Sequence, residues 1–288
     1  MGTMGTLIDG QAIARKIETE IKKLVDALLK RGITPALAVV LVGEDKASQS
    51  YVRLKQKKAQ EVGLNFAVHA LPASTTNAEL KEKLLKIQAD RALHGLIVQL
   101  PLPAHIDTAD ILNAIRPEID IDCLTYVNLG KLVLNKATIL PPTAGAIISI
   151  LDELQVPLAG KNATIIGVGA LVGKPLAIML MNARASVTTC NSATRDTKEK
   201  CLAADIIVTG VGKPNILRGD MVSPGAIVID TGVSFSNGKI FGDVNVEEVI
   251  TKAAYLTPTP GGVGPITVAR LLLNVVLCAE EITISQKV

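Results

Sequence analysis

The chain is poor in aromatic side chains. Phe, Tyr and Trp together make up 2% of its 288 residues, and tryptophan is absent. Hydrophobic residues nonetheless account for 48%, so the chain can bury enough apolar surface to fold into a globular protein. Because such a core must be built from Val, Ile, Leu and Ala, the composition favours buried parallel strands covered by helices.

Long blocks of like charge are also missing. The formal net charge is +3 at pH 7, and no aromatic residues alternate with the basic ones to stack on bases, so we expect no nucleic-acid partner. No apolar run predicts a membrane span and no secretory signal is present, so we expect no membrane partner. The four cysteines show no C-x-x-C spacing. This predicts reduced thiols in a cytoplasmic protein, with neither a disulfide framework nor a metal site.

The chain does contain a regular alternation of short apolar runs and amphipathic segments. In the first half, the runs predicted as strands are 36–42, 65–71 and 95–100, and the segments predicted as helices are 11–30, 46–63, 76–90 and 107–115. Further strands are predicted at 163–166, 185–190, 205–209, 226–230 and 255–257. This alternation indicates an α/β fold with parallel sheets.

A proline-rich break at 139–143 divides the chain into two predicted domains. The first is an N-terminal parallel-sheet catalytic domain, residues 1–140, completed by a C-terminal helix within 266–288. The second is a Rossmann-type dinucleotide-binding domain, residues 141–265. A cleft is expected between them.

The predicted helix 46–63 carries a candidate reactive pair. Tyr51 and Lys55 are four residues apart, which places them on one helical face. Lys57 and Lys58 follow closely, and crowded positive charge is expected to lower the pKa of a lysine. A lysine that is partly neutral near pH 7 can act as a base. The alternative is a solvated basic helix face.

Two further side chains are expected near this helix. Ligands bind beyond the carboxyl ends of parallel strands, and Gln99 lies near such an end, as does the loop before Lys46. Their convergence favours a functional role for Lys55. Asp122 lies in an acidic segment at 118–124 and is a candidate acceptor of paired N–H bonds from a heterocyclic ligand. A solvated polar loop is the alternative.

A glycine-rich turn follows the strand at 163–166. Gly167-x-Gly169-x-x-x-Gly173 leads into a helix, where glycines let the backbone close on a pyrophosphate and the helix N-terminus offers N–H groups. The spacing is one residue longer than the usual dinucleotide motif, and a turn without ligand is the alternative.

The residues after the strand at 185–190 bear on the choice of cofactor. An acidic residue that would hold a ribose 2′-hydroxyl is missing there, whereas Ser192 and Arg195 suit a 2′-phosphate. The pattern favours NADP over NAD, although Arg195 could also be an exposed loop residue beside Asp196. Further on, three prolines and three glycines within 257–265 predict a rigid loop whose backbone can approach a ligand closely.

Together these motifs resemble the bifunctional methylenetetrahydrofolate dehydrogenase/methenyltetrahydrofolate cyclohydrolase (FolD-type) family. The segments that carry the resemblance are 42–48, 51–55, 95–103, 120–122, 167–175, 242–244 and 260–265. The QLPLP and PGGVGP sequences are the most specific of them.

The resemblance implies a homodimeric enzyme that acts on tetrahydrofolate derivatives with NADP, or with NAD as the alternative. Lys55 would be the main catalytic group, supported by Tyr51, Gln99 and Asp122. Folate binding would involve Tyr51, Gln99, Leu100, Asp122, Gly261, Gly262 and Pro265. Cofactor binding would involve Gly167, Val168, Gly169, Gly173, Ser192, Arg195 and Val233.

The chain departs from the family pattern at several positions, which include Cys123, Thr125, Pro142, Ala144, Val168, Gly169 and Asn191. Three alternatives therefore stay open beside the bifunctional enzyme. One is a monofunctional NAD(P)-dependent dehydrogenase, another is a non-catalytic folate- or nucleotide-binding relative, and the third is a Rossmann oxidoreductase that acts on shikimate or an amino acid.

Overall fold

The computed structural model describes residues 4–236 and 239–285. Its strands are β1 Thr6–Leu7, β2 Ala36–Val42, β3 Asn65–Leu71, β4 Gly95–Val98, β5 Asn162–Ile166, β6 Ser186–Cys190, β7 Ile206–Thr209, β8 Ile227–Asp230, β9 Ser234–Ser236, β10 Lys239–Phe241 and β11 Tyr255–Leu256. Its helices are α1 Gly10–Leu29, α2 Lys46–Glu61, α3 Asn77–Gln88, α4 Thr108–Leu112, α5 Tyr126–Val133, α6 Pro142–Glu153, α7 Gly173–Asn182, α8 Thr197–Leu202, α9 Val246–Val249 and α10 Val263–Ser285.

The chain divides into two compact units, each with its own parallel sheet. Residues 16–142 and 268–288 form the three-stranded unit, and residues 1–15 and 143–267 form the six-stranded unit. The sequence assigned the N-terminal residues to the first domain. In the structure, β1 instead pairs in parallel with β11 and so extends the larger sheet.

The sheet of the three-stranded unit has the order β3–β2–β4, and all its strands are parallel. Leu37–Val42 of the central strand are buried, as expected for a continuous apolar run covered on both faces. The chain leaves β2 and enters α2 at Asp45, whose carboxylate accepts a hydrogen bond from the Ser48 backbone N–H at 2.7 Å. This N-cap fixes the start of the helix that carries Tyr51 and Lys55.

The sheet of the six-stranded unit has the order β1–β11–β8–β7–β5–β6, and its paired strands are parallel. The first strand of its βαβ series, β5, lies between β6 and β7. The connections after β5 and β7 therefore leave the sheet on either side of a topological switch point, where open α/β sheets bind their ligands. The glycine turn at 167–173 follows β5 directly.

The last helix begins at Val263, before the segment 266–288 in which the sequence placed it. Pro265 therefore lies in its first turn, where a missing N–H costs no helical hydrogen bond. Against the sequence expectation, its segment Val263–Ile284 is long and apolar enough to cross a bilayer by length and composition. However, 67% of an 18-residue apolar stretch of this helix is buried inside the fold. Packing in the core accounts for its composition.

Candidate active site

Lys55 points into the three-stranded unit rather than into solvent. Its relative exposure is 6%. It shares one buried stripe of α2 with Ser48, Val52 and Ala59, at the three- and four-residue spacing that marks the inward face of a helix. The solvated-face interpretation is therefore wrong for Lys55.

Gln99 holds the amine of Lys55. The Lys55 Nζ donates to Gln99 Oε1 at 3.0 Å, while the Gln99 Nε2 donates to the Leu100 carbonyl at 2.7 Å. The Gln99 backbone N–H donates to the Val40 carbonyl, continuing the ladder beyond the end of β4. Because its NH₂ group is already engaged, the amide must present its oxygen to Lys55.

Tyr51 lies one helical turn before Lys55 and shields it. The Lys55 Nζ is 5.1 Å from the centre of the Tyr51 ring, within the range of a cation–π contact. Burial, and secondarily the charge of Asp122, raises the pKa of the Tyr51 hydroxyl. Tyr51 therefore stays protonated near pH 7 and can donate a hydrogen bond.

Burial is the main influence on the charge of Lys55. It lowers the pKa of the amine, and the negative charge of Asp122 opposes this shift. The sequence predicted this direction of the pKa shift of Lys55, but the cause that it predicted, crowding by Lys57 and Lys58, is wrong. The Lys57 side chain is 74% exposed, and Lys58 Nζ is paired with Glu18 and Glu61, at 3.0 Å from each.

Asp122 is a half-buried carboxyl group whose pKa is raised to about 6. Burial is the main cause of the rise and neighbouring Asp120 adds to it, whereas the positive charge of Lys55 opposes it. Lys55 and Asp122 thus titrate as interacting groups of one site.

Asp120 and Asn274 hold the loop that carries Asp122. The buried Asp120 carboxylate accepts hydrogen bonds from the Leu124 and Thr125 backbone N–H groups and from Asn128 Nδ2 at 2.8–3.2 Å. Asn274, on α10, donates to the Ile121 carbonyl and, 134 residues away in sequence, to the Leu140 carbonyl, both at 2.8 Å. Sequence reasoning missed Asn274, because nothing local distinguishes it within an apolar helix.

In the six-stranded unit, the predicted glycine turn is a tight connection at the carboxyl end of β5. Gly167 has φ of 105°, and its N–H donates to the Cys190 carbonyl at 2.9 Å. A Cβ added at Gly173 would overlap the Gly167 carbonyl oxygen, whereas one at Gly169 would meet nothing within 4 Å. The turn thus packs α7 closely on β5 and leaves an open backbone beside the helix N-terminus, which fits a pyrophosphate.

The residues predicted to contact the rest of the cofactor are exposed at the carboxyl ends of strands. Asn191 follows β6, and its Oδ1 accepts from the Ala193 N–H at 2.9 Å, which turns the chain so that Ser192 and Arg195 face solvent. Val233, beyond β8, is 53% exposed. The neighbouring Asp196 is paired with Lys200 at 2.7 Å.

The proline- and glycine-rich segment also forms a tight turn in this unit. Gly261 has φ of 102°, its carbonyl accepts from the Gly10 N–H, and the Gly262 N–H donates to the Pro258 carbonyl. Pro265 is half-buried in the first turn of α10. Among residues 4–236 and 239–285, no cluster of three or more His, Cys, Asp or Glu side chains could hold a metal ion.

Two family models match this chain over the two parts that contain these sites. The catalytic domain of tetrahydrofolate dehydrogenase/cyclohydrolase matches residues 8–122, and the NAD(P)-binding domain of the same family matches residues 141–283. The chain belongs to this family. The bifunctional protein FolD of Campylobacter concisus is 46% identical over 275 residues, which cover 95% of this chain and 97% of that protein.

Solved structures of family members have the same fold. The bifunctional FolD enzyme of Campylobacter jejuni has a TM-score of 0.94 at 42% identity, covering 96% of this chain and 99% of that chain. FolD of Trypanosoma brucei, in complex with NADP and an inhibitor, has a TM-score of 0.93 at 38% identity, covering 97% of this chain and 98% of that one. Membership excludes the alternative of a shikimate or amino-acid oxidoreductase.

Within the three-stranded unit, the structure brings Lys55 and Gln99 into contact, with Tyr51 beside the amine and Leu100 in the same hydrogen-bonded chain. Asp122 is near enough for its charge to act on the amine. The cofactor candidates and Gly261, Gly262 and Pro265 belong to the six-stranded unit. That the segment 261–265 covers the folate stays a prediction.

Proposed function

We propose that the protein oxidises 5,10-methylenetetrahydrofolate to 5,10-methenyltetrahydrofolate with NADP and hydrolyses the product to 10-formyltetrahydrofolate, as a bifunctional enzyme of one-carbon metabolism. The observation that carries the proposal is the buried Lys55 amine, held by Gln99 at 3.0 Å next to Tyr51 and Asp122. Family membership supports both activities.

For the oxidation, bound NADP would accept a hydride from the methylene carbon that joins two folate nitrogens. The cation left behind is delocalised over both nitrogens, so this step depends on alignment more than on a strong base. The glycine turn at 167–173 and the N-terminus of α7 would hold the pyrophosphate. Ser192 and Arg195 would bind a ribose 2′-phosphate.

For the hydrolysis, water must attack the methenyl carbon. The neutral amine of Lys55 would take a proton from that water as the oxygen–carbon bond forms. The resulting Lys55 ammonium would give this proton to the folate nitrogen as the carbon–nitrogen bond breaks, while the hydroxyl on the carbon loses its proton to solvent and becomes the formyl carbonyl. The lowered pKa of Lys55 makes its neutral form accessible, and Gln99 fixes where the amine points. Asp122 would accept N–H bonds from the pterin ring.

Gln99→Glu is expected to shift the pH dependence of hydrolysis to higher pH. A carboxylate about 3 Å from the amine favours the ammonium form and raises the pKa of Lys55. Each unit of that rise leaves about tenfold less neutral lysine near pH 7. The measurement is a pH–rate profile of methenyltetrahydrofolate hydrolysis. Gln56→Glu, on the same helix beside Lys55 in sequence, should leave the profile in place, and an unshifted Gln99→Glu profile would contradict the assignment.

NADP is expected to be preferred over NAD. The test is reduction of each cofactor in parallel with 5,10-methylenetetrahydrofolate, followed by hydrolysis of added methenyltetrahydrofolate. A lower KM for NAD at equal kcat would overturn the preference. Turnover with neither cofactor, with hydrolysis retained, would reduce the proposal to a cyclohydrolase, and binding without any turnover would identify a non-catalytic relative.

The same preference gives a mutational test. Arg195→Ala should raise the KM for NADP about tenfold, because a charged contact to phosphate is lost, and should leave the KM for NAD unchanged. Lys200→Ala is the matched control, since that nearby cation is already paired with Asp196.

We also propose that the enzyme is a cytoplasmic homodimer. Family resemblance suggests the dimer. All four cysteines are buried and free, which accords with a reducing compartment. Sedimentation equilibrium of the purified protein tests the dimer, and a monomer at micromolar concentration would contradict it.

A further inference from the structure

Asp243 is a fully buried carboxylate that holds the loop after β7. Its Oδ2 accepts from the Val211 backbone N–H at 2.7 Å, and its Oδ1 accepts from the Lys213 N–H at 2.8 Å. Its own backbone carbonyl accepts from the Ile216 N–H at 2.8 Å. One residue therefore fixes both ends of the segment 211–213 and the chain that follows it.

Asp230, the last residue of β8, holds the loop that follows β8 in a similar way. Its Oδ1 accepts from Thr209 Oγ1 at 3.0 Å and from the Gly232 N–H at 2.9 Å, and its Oδ2 accepts from the Val244 N–H at 3.1 Å. Burial raises the pKa of Asp230 to about 6, and the nearby Asp243 contributes to the rise.

The two carboxylates and two glycines fit one another across this group of loops. A Cβ added at Gly232 would overlap the carboxylate of Asp243, and one added at Gly242 would overlap Oδ2 of Asp230. Gly232 thus leaves room for the carboxylate of Asp243, and Gly242 leaves room for that of Asp230. This reciprocal fit explains why glycine and aspartate occur together at 242–243.

The segment held by Asp243 packs directly against the cofactor turn. A Cβ added at Gly167 would lie 2.5 Å from the Gly210 carbonyl oxygen and 2.9 Å from Cγ1 of Val211. The Gly210 N–H in turn donates to the Ile166 carbonyl at 2.9 Å. The loops after β5 and β7, which flank the switch point of the sheet, are therefore in contact, and Asp243 determines where the second one lies.

We infer that Asp243, assisted by Asp230, is a positioning residue for the nicotinamide cofactor: it sets the segment 210–213 against the glycine turn and so shapes the cofactor site without touching the reacting atoms. The inference rests on the proposed function. A carboxylate suits this task because it accepts two N–H groups at once in charge-assisted bonds, which are stronger than neutral ones.

The test is Asp243→Asn. An amide has one acceptor oxygen, so either the Val211 or the Lys213 N–H loses its partner whichever way the side chain turns. We expect the KM for NADP to rise about tenfold, the effect of one unsatisfied buried group, with kcat for oxidation within about twofold. Hydrolysis of methenyltetrahydrofolate should stay within about twofold, because Lys55 and Gln99 lie in the other unit.

Asp205→Asn is the matched control. Asp205 also accepts a backbone N–H, that of Asn162 at 2.8 Å, but it precedes β7 at the amino end of the same sheet. Asp205 is partly exposed and also pairs with Lys161, so this variant should lose less thermal stability and keep the KM for NADP. The inference would be overturned if Asp243→Asn had the same KM for NADP as the unchanged protein, or if Asp205→Asn showed an equal rise in that KM. It would also be overturned if Asp243→Asn lost hydrolysis in parallel with NADP-dependent oxidation.

Fluorescence titration with NADPH separates this inference from the proposed function. If the unchanged protein binds no NADPH, the dehydrogenase proposal fails, and the inference with it. If the unchanged protein binds and Asp243→Asn binds equally well, only the inference fails. If Asp243→Asn does not fold, Asp230→Asn takes its place, because it leaves the Gly232 or Val244 N–H unpartnered. This variant is also expected to bind NADPH more weakly, and unweakened binding would overturn the inference.

Discussion

Replacing Lys55 with methionine should reduce hydrolysis of methenyltetrahydrofolate by at least about 100-fold, the range expected when a general acid–base group is removed. The fold should survive, because methionine has a similar length and a buried amine with a lowered pKa is exchanged for an apolar group that needs no charge partner. Oxidation should fall less, since hydride transfer depends mainly on alignment. The hydrolysis rate is measured in single-turnover experiments, and survival of the fold is measured by thermal unfolding.

Lys57→Met is the control for this result. Lys57 is two residues further along α2, but its side chain is exposed and lies outside the buried stripe. The variant should hydrolyse methenyltetrahydrofolate at the unchanged rate. A folded Lys55→Met protein with unchanged hydrolysis would show that another group activates the water.

Replacing Gly173 with alanine should abolish NADP-dependent oxidation, with at least about a 100-fold loss in kcat/KM, while hydrolysis continues. The new Cβ would overlap the carbonyl oxygen of Gly167. The position of a Cβ is fixed by the backbone that carries it, and the carbonyl is itself backbone, so neither atom can turn aside. The turn must then separate from α7, which disrupts the N–H groups and the close packing proposed to hold a pyrophosphate. We expect a stability loss of about 1–3 kcal/mol, as for other overpacked sites.

Gly169→Ala is the matched control, because the same methyl group there meets no atom within 4 Å. It should leave folding unchanged, so it controls for stability alone, since a methyl group there would still face the space proposed for the pyrophosphate. Both activities measured on one preparation complete the test. If Gly173→Ala loses hydrolysis together with oxidation, its effect is on the whole fold rather than on the cofactor site.

Strands that contain a short, largely apolar run could be predicted closely. The predicted bounds of β2 and β3, 36–42 and 65–71, agree with the structure, because a short apolar run between polar connections allows few other placements. The antiparallel pair β9–β10 and the helix α5 were missed. Both are short and polar or glycine-containing, and tertiary contacts rather than periodicity determine them.

Within the candidate site, too, features with a local sequence signal could be predicted, whereas those that depend on distant residues could not. The glycine turn was predictable because its residues are adjacent in sequence and glycine is required there by backbone contact. The buried position of Lys55 also had a local signal that was overlooked: Lys55 is in phase with Val52 and Ala59, whereas Lys57 is not. The roles of Asp243 and Asn274 had none, since their partners lie 30–32 and 134–153 residues away.

The sequence by itself determined the α/β architecture, the family and the types of residue that carry the chemistry, because these follow from local periodicity and from motifs of adjacent residues. Only the tertiary structure showed that Lys55 is buried and why its pKa is lowered. Desolvation depends on everything packed around a group, and the amide that orients Lys55 belongs to the residue after β4, 44 residues further along the chain. Charge state and orientation are properties of the surroundings of a side chain, and those surroundings exist only after folding.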